Sequence, residues 1–177
     1  MIILQPLTPI NDVLLLTLRD KIVNEININV VISNLKLRIP QSIFNPFRRQ
    51  YYADGVIKYL NSVFKSRYGK VLGIIDGDGY VPHLNFVFGE AELGGNYGVI
   101  FLERLKEEFY GRPPSFKLFL LRALKEALHE IGHLYGLSHC SNPKCVMHFS
   151  NSLMDTDYKE ARYCDRCRRM LKLNIRI

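Results

Sequence analysis

Apolar residues are spaced along the chain in two alternating patterns, one typical of strands and the other typical of helices. Continuous β-branched or aliphatic runs predict buried strands at 1–7, 28–32 and 71–75. Apolar positions recur at helical spacing between these runs, at 11–25 and 51–68. We expect Asn11 to cap the first helix and Gly69 to end the second. Strands that alternate with helices in this way predict an α/β fold.

The middle of the chain predicts two more strands and one long helix. The strands are expected at 85–89 and 97–102, and their close spacing in sequence favours antiparallel pairing in this part of the sheet. The helix is expected over 116–135, with Ser115 as its N-cap and Gly136 as its stop. Apolar residues cover most of its circumference, so we expect this helix to be central and buried. The predicted fold is therefore a mixed five-stranded sheet packed around a central helix.

The length and composition are those of one globular domain. The chain has 177 residues, of which 47% are hydrophobic and 23% are charged, and it is long enough to fold without disulfides. We expect a single domain over 1–177, with an N-terminal lobe at 1–136 and a C-terminal lobe at 137–177. No apolar run approaches the length of a membrane span, and the N-terminus lacks the basic start of a secretory signal. These features favour a cytoplasmic monomer with no membrane partner.

The positive charge of the chain raises the question of nucleic-acid binding. The formal net charge is +7, and the one dense group of basic residues is Arg162, Arg166, Arg168 and Arg169. A solvated surface accounts for such a scattered distribution more simply than a phosphate-binding patch does. Nucleic acid is therefore the less favoured partner. Salt-dependent retention that disappears when Arg166, Arg168 and Arg169 are replaced would be needed to support it.

The strongest chemical signal lies at the end of the predicted central helix. His129 and His133 are four residues apart, so their imidazoles lie on one helical face and can reach the same ion. Gly136 lets the chain reverse, which allows His139 to close the site from the other side. Three histidines leave one position of a tetrahedral zinc open, which is typical of a catalytic site. Glu130 is rotated away from the coordination direction and is placed to act as a general base.

The C-terminal segment carries a second candidate metal site. Its members are the four cysteines of the chain, Cys140, Cys145, Cys164 and Cys167. Their spacing, C-x4-C and then a distal C-x-x-C, favours a closed structural zinc site. Two disulfides are one alternative, and a zinc ribbon that binds nucleic acid is another. Because Cys140 directly follows His139, we expect an ordered cysteine site to fix the third catalytic ligand as well.

These motifs together resemble a known family. The pattern H-E-x-x-H-x-x-G-x-x-H, from His129 to His139, is the signature of the metzincin metallopeptidases. Here it is followed by C-x4-C-x-M, by Phe149-Ser-Asn-Ser152 and by the distal C-x-x-C, and this combination resembles the archaemetzincins. Asp78-Gly-Tyr80-Val-Pro82 and Leu84-Asn-Phe-Val-Phe-Gly89 are also similar to that family. The resemblance covers about residues 71–167.

The resemblance implies a metzincin-like zincin fold, in which a small zinc-stapled C-terminal subdomain follows the active-site helix. It implies that His129, His133 and His139 bind a catalytic zinc, with Glu130 as the base. It also makes Met147 the residue of the Met-turn below the metal. The four cysteines would bind a second, structural zinc. The expected cofactors are therefore two zinc ions.

We predict a zinc-dependent metallopeptidase that acts on a peptide or protein substrate. Zinc lowers the pKa of a bound water, the glutamate takes its proton, and the hydroxide attacks a carbonyl polarised by the metal. An edge strand over 85–89 is expected to pair with an extended substrate. Tyr158 and Tyr163 are candidates to assist the oxyanion, although ordinary packing is favoured for both; His83 and His148 are not expected to bind metal. The alternatives are a metzincin-fold interaction protein without peptidase activity and a nucleic-acid-binding zinc protein.

Overall fold

The computed structural model of the chain describes residues 1–65 and 69–175. The strands are β1 (Ile2–Pro6), β2 (Val30–Ile32), β3 (Phe44–Asn45), β4 (Gln50–Tyr52), β5 (Lys70–Ile75), β6 (Asp78–Tyr80), β7 (Gly89–Ala91) and β8 (Tyr97–Phe101). The α-helices are α1 (Asp12–Ile26), α2 (Ala53–Phe64), α3 (Phe116–Leu134), α4 (Leu153–Tyr158) and α5 (Asp165–Ile175). None of these helices is both long and apolar enough to cross a membrane.

Five strands form a mixed sheet in the order β2-β1-β5-β8-β7, which confirms the predicted α/β class. Strands β2, β1, β5 and β8 run parallel, and β7 pairs with β8 in the antiparallel direction. Successive side chains of a strand face opposite sides of a sheet. Leu72 and Ile74 therefore face one core together with α1 and α3, while Val71 and Ile75 face a second core together with α2. The sheet is thus covered by helices on both faces.

The first two helices begin and end through local interactions. The Asn11 side chain accepts a hydrogen bond from the backbone N–H of Leu14, which confirms it as the N-cap of α1. Helix α2 ends earlier than predicted, because Lys65 adopts a left-handed conformation with φ 49° after Phe64. The prediction that Gly69 ends this helix is therefore wrong. Residues 66–68 of the predicted helix lie outside the described residues.

The strand predicted at 85–89 is displaced. The structure places β7 at Gly89–Ala91, and the preceding residues form a loop whose one bridge joins Val87 to Gly79. The aromatic residues that suggested a strand instead pack on each other, with the ring centroids of Phe86 and Phe88 5.1 Å apart. The apolar residues that suggested a strand therefore belong to a packed loop. The strand itself, Gly89–Ala91, contains few apolar residues, so its sequence did not predict it.

A second, three-stranded sheet in the order β3-β4-β6 was not predicted. Its strands are two or three residues long, and polar side chains lie at its centre. Gln50 and Asp78 are both buried there and are joined by a hydrogen bond of 2.9 Å. Short strands with buried polar residues lack the periodic apolar pattern on which a sequence-based prediction depends.

Helix α3 begins and ends where its sequence predicts. The Ser115 hydroxyl accepts a hydrogen bond from Leu118 N–H, and Gly136 adopts a φ of 81° beyond the last turn. The expectation of burial is confirmed only from Arg122 onward; the stretch before it, 116–121, is exposed or half-buried. The buried part includes charged residues, and Arg122 is satisfied by ion pairs with Glu107 and Asp157. This buried part carries the histidine motif.

Candidate metal centres

The three histidines of the helix-end motif converge on one point. One ring nitrogen from each of His129, His133 and His139 lies within 4.8 Å of the other two. His129 and His133 occupy successive turns of α3, and their Nε2 atoms are 3.0 Å apart. His139 enters from the segment after Gly136 and stacks on His129, with ring centroids 5.3 Å apart. The turn at Gly136 therefore brings the third histidine back to the helix, as its sequence predicts.

The other nitrogens of the two helical histidines determine which atoms face the site. Nδ1 of His129 lies 2.8 Å from the carbonyl oxygen of Val146, and Nδ1 of His133 lies 2.7 Å from that of Leu137. A carbonyl only accepts, so each Nδ1 carries the proton and each Nε2 presents a lone pair. Two lone pairs 3.0 Å apart repel unless a cation lies between them. Two nitrogen ligands of one tetrahedral zinc lie about 3.3 Å apart, so this donor set fits zinc.

The protonation of the histidines also suits a metal. Burial lowers the pKa of His129 well below its usual value, and the positive charge of Lys159 acts in the same direction. Burial also lowers the pKa of His133 and of His139. Zinc binds the neutral imidazole, so a lowered pKa keeps these side chains ready to bind at neutral pH.

The floor of the histidine site is formed by Met147. This residue is fully buried, and its backbone carbonyl accepts a hydrogen bond of 2.9 Å from Cys140 N–H. A side-chain carbon added at Gly132, between the two helical histidines, would lie 2.3 Å from the Met147 sulfur. Gly132 therefore lets the methionine pack directly against the helix below the histidines.

Glu130 lies beside the histidines at the base of a cleft. The cleft has a volume of about 500 Å³ and is lined by His129, His133 and His139, by β7 and the loop before it, and by residues of the segment 149–151. Burial raises the pKa of Glu130 well above its usual value, and the charges of Glu126 and Glu90 act in the same direction. A side-chain carbon at Gly89 would lie 2.4 Å from Glu130 Oε1, so this glycine provides the space that the carboxylate occupies.

A buried ion pair between Lys159 and Glu126 packs next to the histidine site. Nζ of Lys159 lies 3.1 Å from Oε1 of Glu126, and the exposed fractions of the two side chains are 0% and 4%. The Thr156 hydroxyl donates a second hydrogen bond to the same oxygen. Lys159 also donates to the backbone carbonyl of His148, next to Met147. The pair thus joins the active-site helix to the methionine turn and to α4.

The four cysteines form the second cluster. Their sulfur atoms lie within 4.8 Å of one another, and all four thiols are free of disulfides. Sγ of Cys140 and Sγ of Cys164 are 3.9 Å apart, close to the roughly 3.8 Å that separates two thiolates on one tetrahedral zinc. The backbone N–H of Cys164 donates to Cys145 Sγ. The arrangement therefore fits a closed metal site rather than two disulfides.

The charge state of the cysteines points the same way. Burial raises the pKa of Cys145 and of Cys167. Burial acts in this direction on Cys164 as well, but hydrogen bonds from its neighbours outweigh it and lower the pKa of that thiol to about 7. The Cys164 thiolate therefore forms readily at neutral pH, whereas deprotonation of Cys145 and Cys167 requires a cation to offset their burial.

Comparisons with known proteins agree with this geometry. The family described as Peptidase family M54 matches residues 14–173. The archaemetzincin of Methanocaldococcus jannaschii is 43% identical over 171 residues, which cover 97% of this chain and 92% of that protein. The chain belongs to the archaemetzincins. It is therefore a zinc metallopeptidase, and peptides are its class of substrate.

Solved archaemetzincin structures share the whole fold. The crystal structure from Methanopyrus kandleri superposes with a TM-score of 0.87 at 31% identity and covers 99% of this chain and 95% of that one. The structure from Archaeoglobus fulgidus, complexed with malonate, superposes with a TM-score of 0.81 at 35% identity and covers 96% of this chain and 98% of that one. The predicted resemblance and the metzincin-like fold class are confirmed.

The two tyrosines and the two other histidines that were considered from the sequence do not line the cleft that the described residues form. Tyr163 is buried and its hydroxyl donates to the backbone carbonyl of Leu128, while Tyr158 is exposed; neither lines the cleft that the described residues form. His148 binds the backbone carbonyl of Cys140, and His83 lies in an exposed turn with φ 75°. Packing describes Tyr163, as favoured from the sequence, whereas Tyr158, for which packing was also favoured, is exposed instead.

The dense basic group is partly engaged in the fold. Arg168 forms an ion pair with Glu25 of α1, and Arg162 forms one with Glu160. Arg166 and Arg169 are exposed on α5. Part of this group therefore serves to attach the C-terminal segment and is not free for phosphate.

Sequence patterns missed several residues of the site. Gly132 and Glu126 have no motif of their own beyond their place near the histidines. Gly89 ends a segment that resembles the family but gave no sign of its role, and Lys159 is distant in sequence from the histidines. The one available signal was the position of Glu126, which precedes Glu130 by four residues and therefore shares its helical face. The others depend on which segments pack together.

Proposed function

We propose that this peptidase hydrolyses peptide bonds at a zinc held by His129, His133 and His139, with Glu130 as the general base. The observation that carries the proposal is the placement of the Glu130 carboxylate, which lines the same cleft as the three histidines and has room only because residue 89 is glycine. A base must lie within reach of the proton that it accepts, and the cleft is where this carboxylate could meet a bound water or peptide.

In this mechanism the metal and Glu130 act one after the other on the attacking water and the leaving amine. When bound, zinc supplies a Lewis acid that acidifies water and polarises a carbonyl. Glu130 accepts a proton from the attacking water and then donates it to the nitrogen of the leaving amine. Lys159 and Glu126 hold the helix beneath these groups at a fixed distance from the methionine turn.

The substrate is held as an added strand on β7. In the antiparallel register with β8, Glu90 pairs with Val99, and Phe88 and Glu92 accept or donate hydrogen bonds to β8 as well. Hydrogen-bonded and outward-facing residues alternate in such a ladder, so Gly89 and Ala91 present their backbone groups to the cleft. An extended peptide can therefore pair with Gly89 and Ala91, in place of the segment 85–89 predicted from sequence.

We further propose that the cysteine cluster holds a second zinc with a structural role. Four sulfur ligands leave no position for substrate, and the segment that they join has little apolar core of its own. In this proposal 1–177 is one catalytic domain, with a lobe at 1–136 that ends in the active-site helix and a lobe at 137–177 stapled by the cysteines. Metal emission spectroscopy on the purified protein should give two zinc ions per chain, and a count of one would contradict the second site.

The catalytic proposal is tested with Glu130→Gln, because the amide keeps the shape of the side chain and loses its basicity. The matched control is Glu108→Gln, at an exposed position away from the cleft. With both variants loaded with zinc, turnover of a broad peptide library followed by mass spectrometry should fall about 100-fold or more in Glu130→Gln only. Equal turnover by the two variants would rule out Glu130 as the base.

A further inference from the structure

One wall of the cleft is an irregular loop that joins β6 to β7. Leu84, Asn85 and Phe86 of this loop line the cleft, and the main-chain bridge between Val87 and Gly79 lies beyond them. A segment outside regular structure needs other partners for its backbone polar groups if it is to keep one conformation. The position of this wall therefore depends on what binds its carbonyls.

Two side chains from the small sheet bind those carbonyls. Arg48 Nη2 donates to the carbonyl oxygens of both Leu84 and Asn85, at 3.0 Å each. Gln50 Nε2 donates to the carbonyl oxygen of Asn85 at 2.8 Å, and Arg48 Nε donates to Gln50 Oε1 at 2.8 Å. In the described part of the chain, these side chains are the donors to the two carbonyls. We call Arg48 and Gln50 the wall clamp.

The wall clamp is itself held rigidly. Gln50 is buried with 3% of its surface exposed, and its amide also donates to Oδ2 of Asp78 at 2.9 Å. Oδ1 of Asp78 accepts from Arg104, whose guanidinium lies 4.3 Å from the ring centroid of Phe86. The Arg48 guanidinium packs over the Tyr80 ring at 4.3 Å. Gln50 and Asp78 form the buried part of this network, and the exposed Arg48 extends it to the loop.

We propose that Arg48 and Gln50 are positioning residues for substrate binding, and that the three-stranded sheet serves to hold this wall of the cleft. The inference rests on the proposed function, because it assumes that a peptide occupies the cleft. A bound peptide would contact the side chains of Leu84 and Phe86, so its affinity depends on where the loop lies. The histidines and Glu130 belong to α3 and the segment after it, which the clamp does not touch.

The kinetic test compares Arg48→Met with Arg49→Met. Both side chains are exposed and adjacent, but Arg49 makes no hydrogen bond or ion pair to the cleft wall within the described residues. Arg48→Met should raise KM for peptide substrates about tenfold and change kcat less than about twofold, because a lost charge-assisted hydrogen bond is equivalent to roughly a factor of ten. Arg49→Met should leave both constants unchanged. A fall in kcat at constant KM would overturn the proposal.

A second measurement needs no turnover. Acetohydroxamic acid reaches only the metal, whereas a hydroxamate of a Phe-Leu peptide also fills the cleft. Arg48→Met should bind the peptide hydroxamate about tenfold more weakly and acetohydroxamic acid equally well, compared with Arg49→Met. If the unmodified protein binds neither compound, the proposed zinc site at the histidines is contradicted. That result would not bear on the role of the wall clamp.

Hydrogen exchange then separates positioning from direct contact. In Arg48→Met, backbone amides of 84–88 should exchange at least about fivefold faster while those of α3 keep their rates. Arg48→Lys keeps the charge but lacks the planar fork, so it should show an intermediate increase. Unchanged exchange in Arg48→Met would overturn the proposal, whether or not peptide affinity falls. Weaker peptide binding without faster exchange in the loop would mean that Arg48 contacts the ligand itself.

Discussion

At the scale of single residues, two glycines make room for the chemistry of the cleft. Gly132 lets the Met147 sulfur approach the helix between His129 and His133, and Gly89 lets the Glu130 carboxylate approach β7. Neither has a positive φ, so the requirement is for space and not for an unusual backbone conformation. Any side chain at these positions would compete directly with a functional group.

We predict that Gly89→Ala inactivates the enzyme without unfolding it. The new carbon would lie 2.4 Å from Oε1 and 2.7 Å from Cγ of Glu130, so the whole buried side chain, and not only its carboxylate, must move. Displacement of the carboxylate by about 1 Å should lower kcat about 100-fold, while the free energy of unfolding should fall by about 1–3 kcal/mol. Peptide turnover and urea denaturation measure the two quantities.

A double-mutant cycle provides the control for this interpretation. If Gly89→Ala acts through Glu130, adding it to Glu130→Gln should cause little further loss of turnover. Independent, additive losses would show that Gly89 acts through another group.

We also predict that Lys159→Met strongly destabilises the fold. It removes the partner of Glu126, whose side chain is only 4% exposed, and leaves a buried carboxylate without its counter-charge. Loss of one partner from a buried pair lowers the free energy of unfolding by about 3–5 kcal/mol. Urea denaturation at neutral pH with saturating zinc measures the change.

The double variant Lys159→Met with Glu126→Gln is the matched comparison. It removes both charges and keeps an acceptor for the Thr156 hydroxyl, so most of the lost stability should return. If the single and double variants are equally unstable, the lysine contributes packing and not charge.

At the scale of elements, the active site is the meeting of one helix with one edge strand. Helix α3 carries two of the three proposed zinc ligands, His129 and His133, and the proposed base, and β7 carries the outward-facing backbone groups that line the same cleft. The turn after β7 is attached to the helix end, because Gly94 N–H donates to the His133 carbonyl at 2.8 Å. This bond fixes the strand relative to the metal ligands.

We predict that Ala91→Pro weakens substrate binding. Proline removes the backbone N–H that Ala91 presents to the cleft and leaves the ladder to β8 intact, as is tolerated on an edge strand. Loss of one hydrogen bond to the substrate should raise KM about threefold to tenfold with little change in kcat. Steady-state kinetics on a defined peptide measures both.

The control for this prediction is Ala91→Val, which adds bulk but keeps the N–H. Its KM should rise less than the KM of Ala91→Pro does, compared with the unmodified enzyme. An equal rise in KM for the two variants would indicate steric exclusion and would contradict strand addition at this residue.

At the scale of the whole molecule, the two candidate metal sites are joined through consecutive residues. His139 belongs to the histidine cluster and Cys140 to the cysteine cluster, and Cys140 N–H binds the Met147 carbonyl below the histidines. Besides this covalent link, the exposed His139 is held by ring contacts with His129, His133 and Phe149. The structural site should therefore control the catalytic one.

We predict an asymmetric response to loss of each site. Cys145→Ser combined with Cys167→Ser should abolish the structural zinc, destabilise the fold by at least about 2 kcal/mol and weaken zinc at the histidines. His133→Ala should remove only the catalytic zinc and lower the melting temperature by less than the double cysteine variant does. Zinc content by emission spectroscopy and the melting temperature distinguish the two.

The opposite pattern would contradict this coupling. If the double cysteine variant keeps its affinity for zinc at the histidines, the third ligand is held by other contacts, such as the packing of Phe149 on the His139 ring. Replacement of Phe149 by alanine would then have the larger effect.

Much of this protein is determined by its sequence alone. The spacing of His129 and His133 places them on one helical face wherever the helix lies, and the caps at Asn11 and Ser115 act within one turn. The runs in β1, β5 and β8 alternate between two cores as their composition requires. These features depend on residues a few positions apart, and local backbone geometry is sufficient to specify them.

The rest was decided only by the tertiary structure. The bonds from Arg48 to Leu84, the pairing of Lys159 with Glu126 and the space that Gly89 leaves for Glu130 join residues more than thirty positions apart. Which of these groups meet depends on the order of the strands and on how the C-terminal segment returns to α3. The convergence of the three histidines could thus be predicted because one helical turn and one glycine bring them together, whereas the cleft around them exists only once the chain is packed.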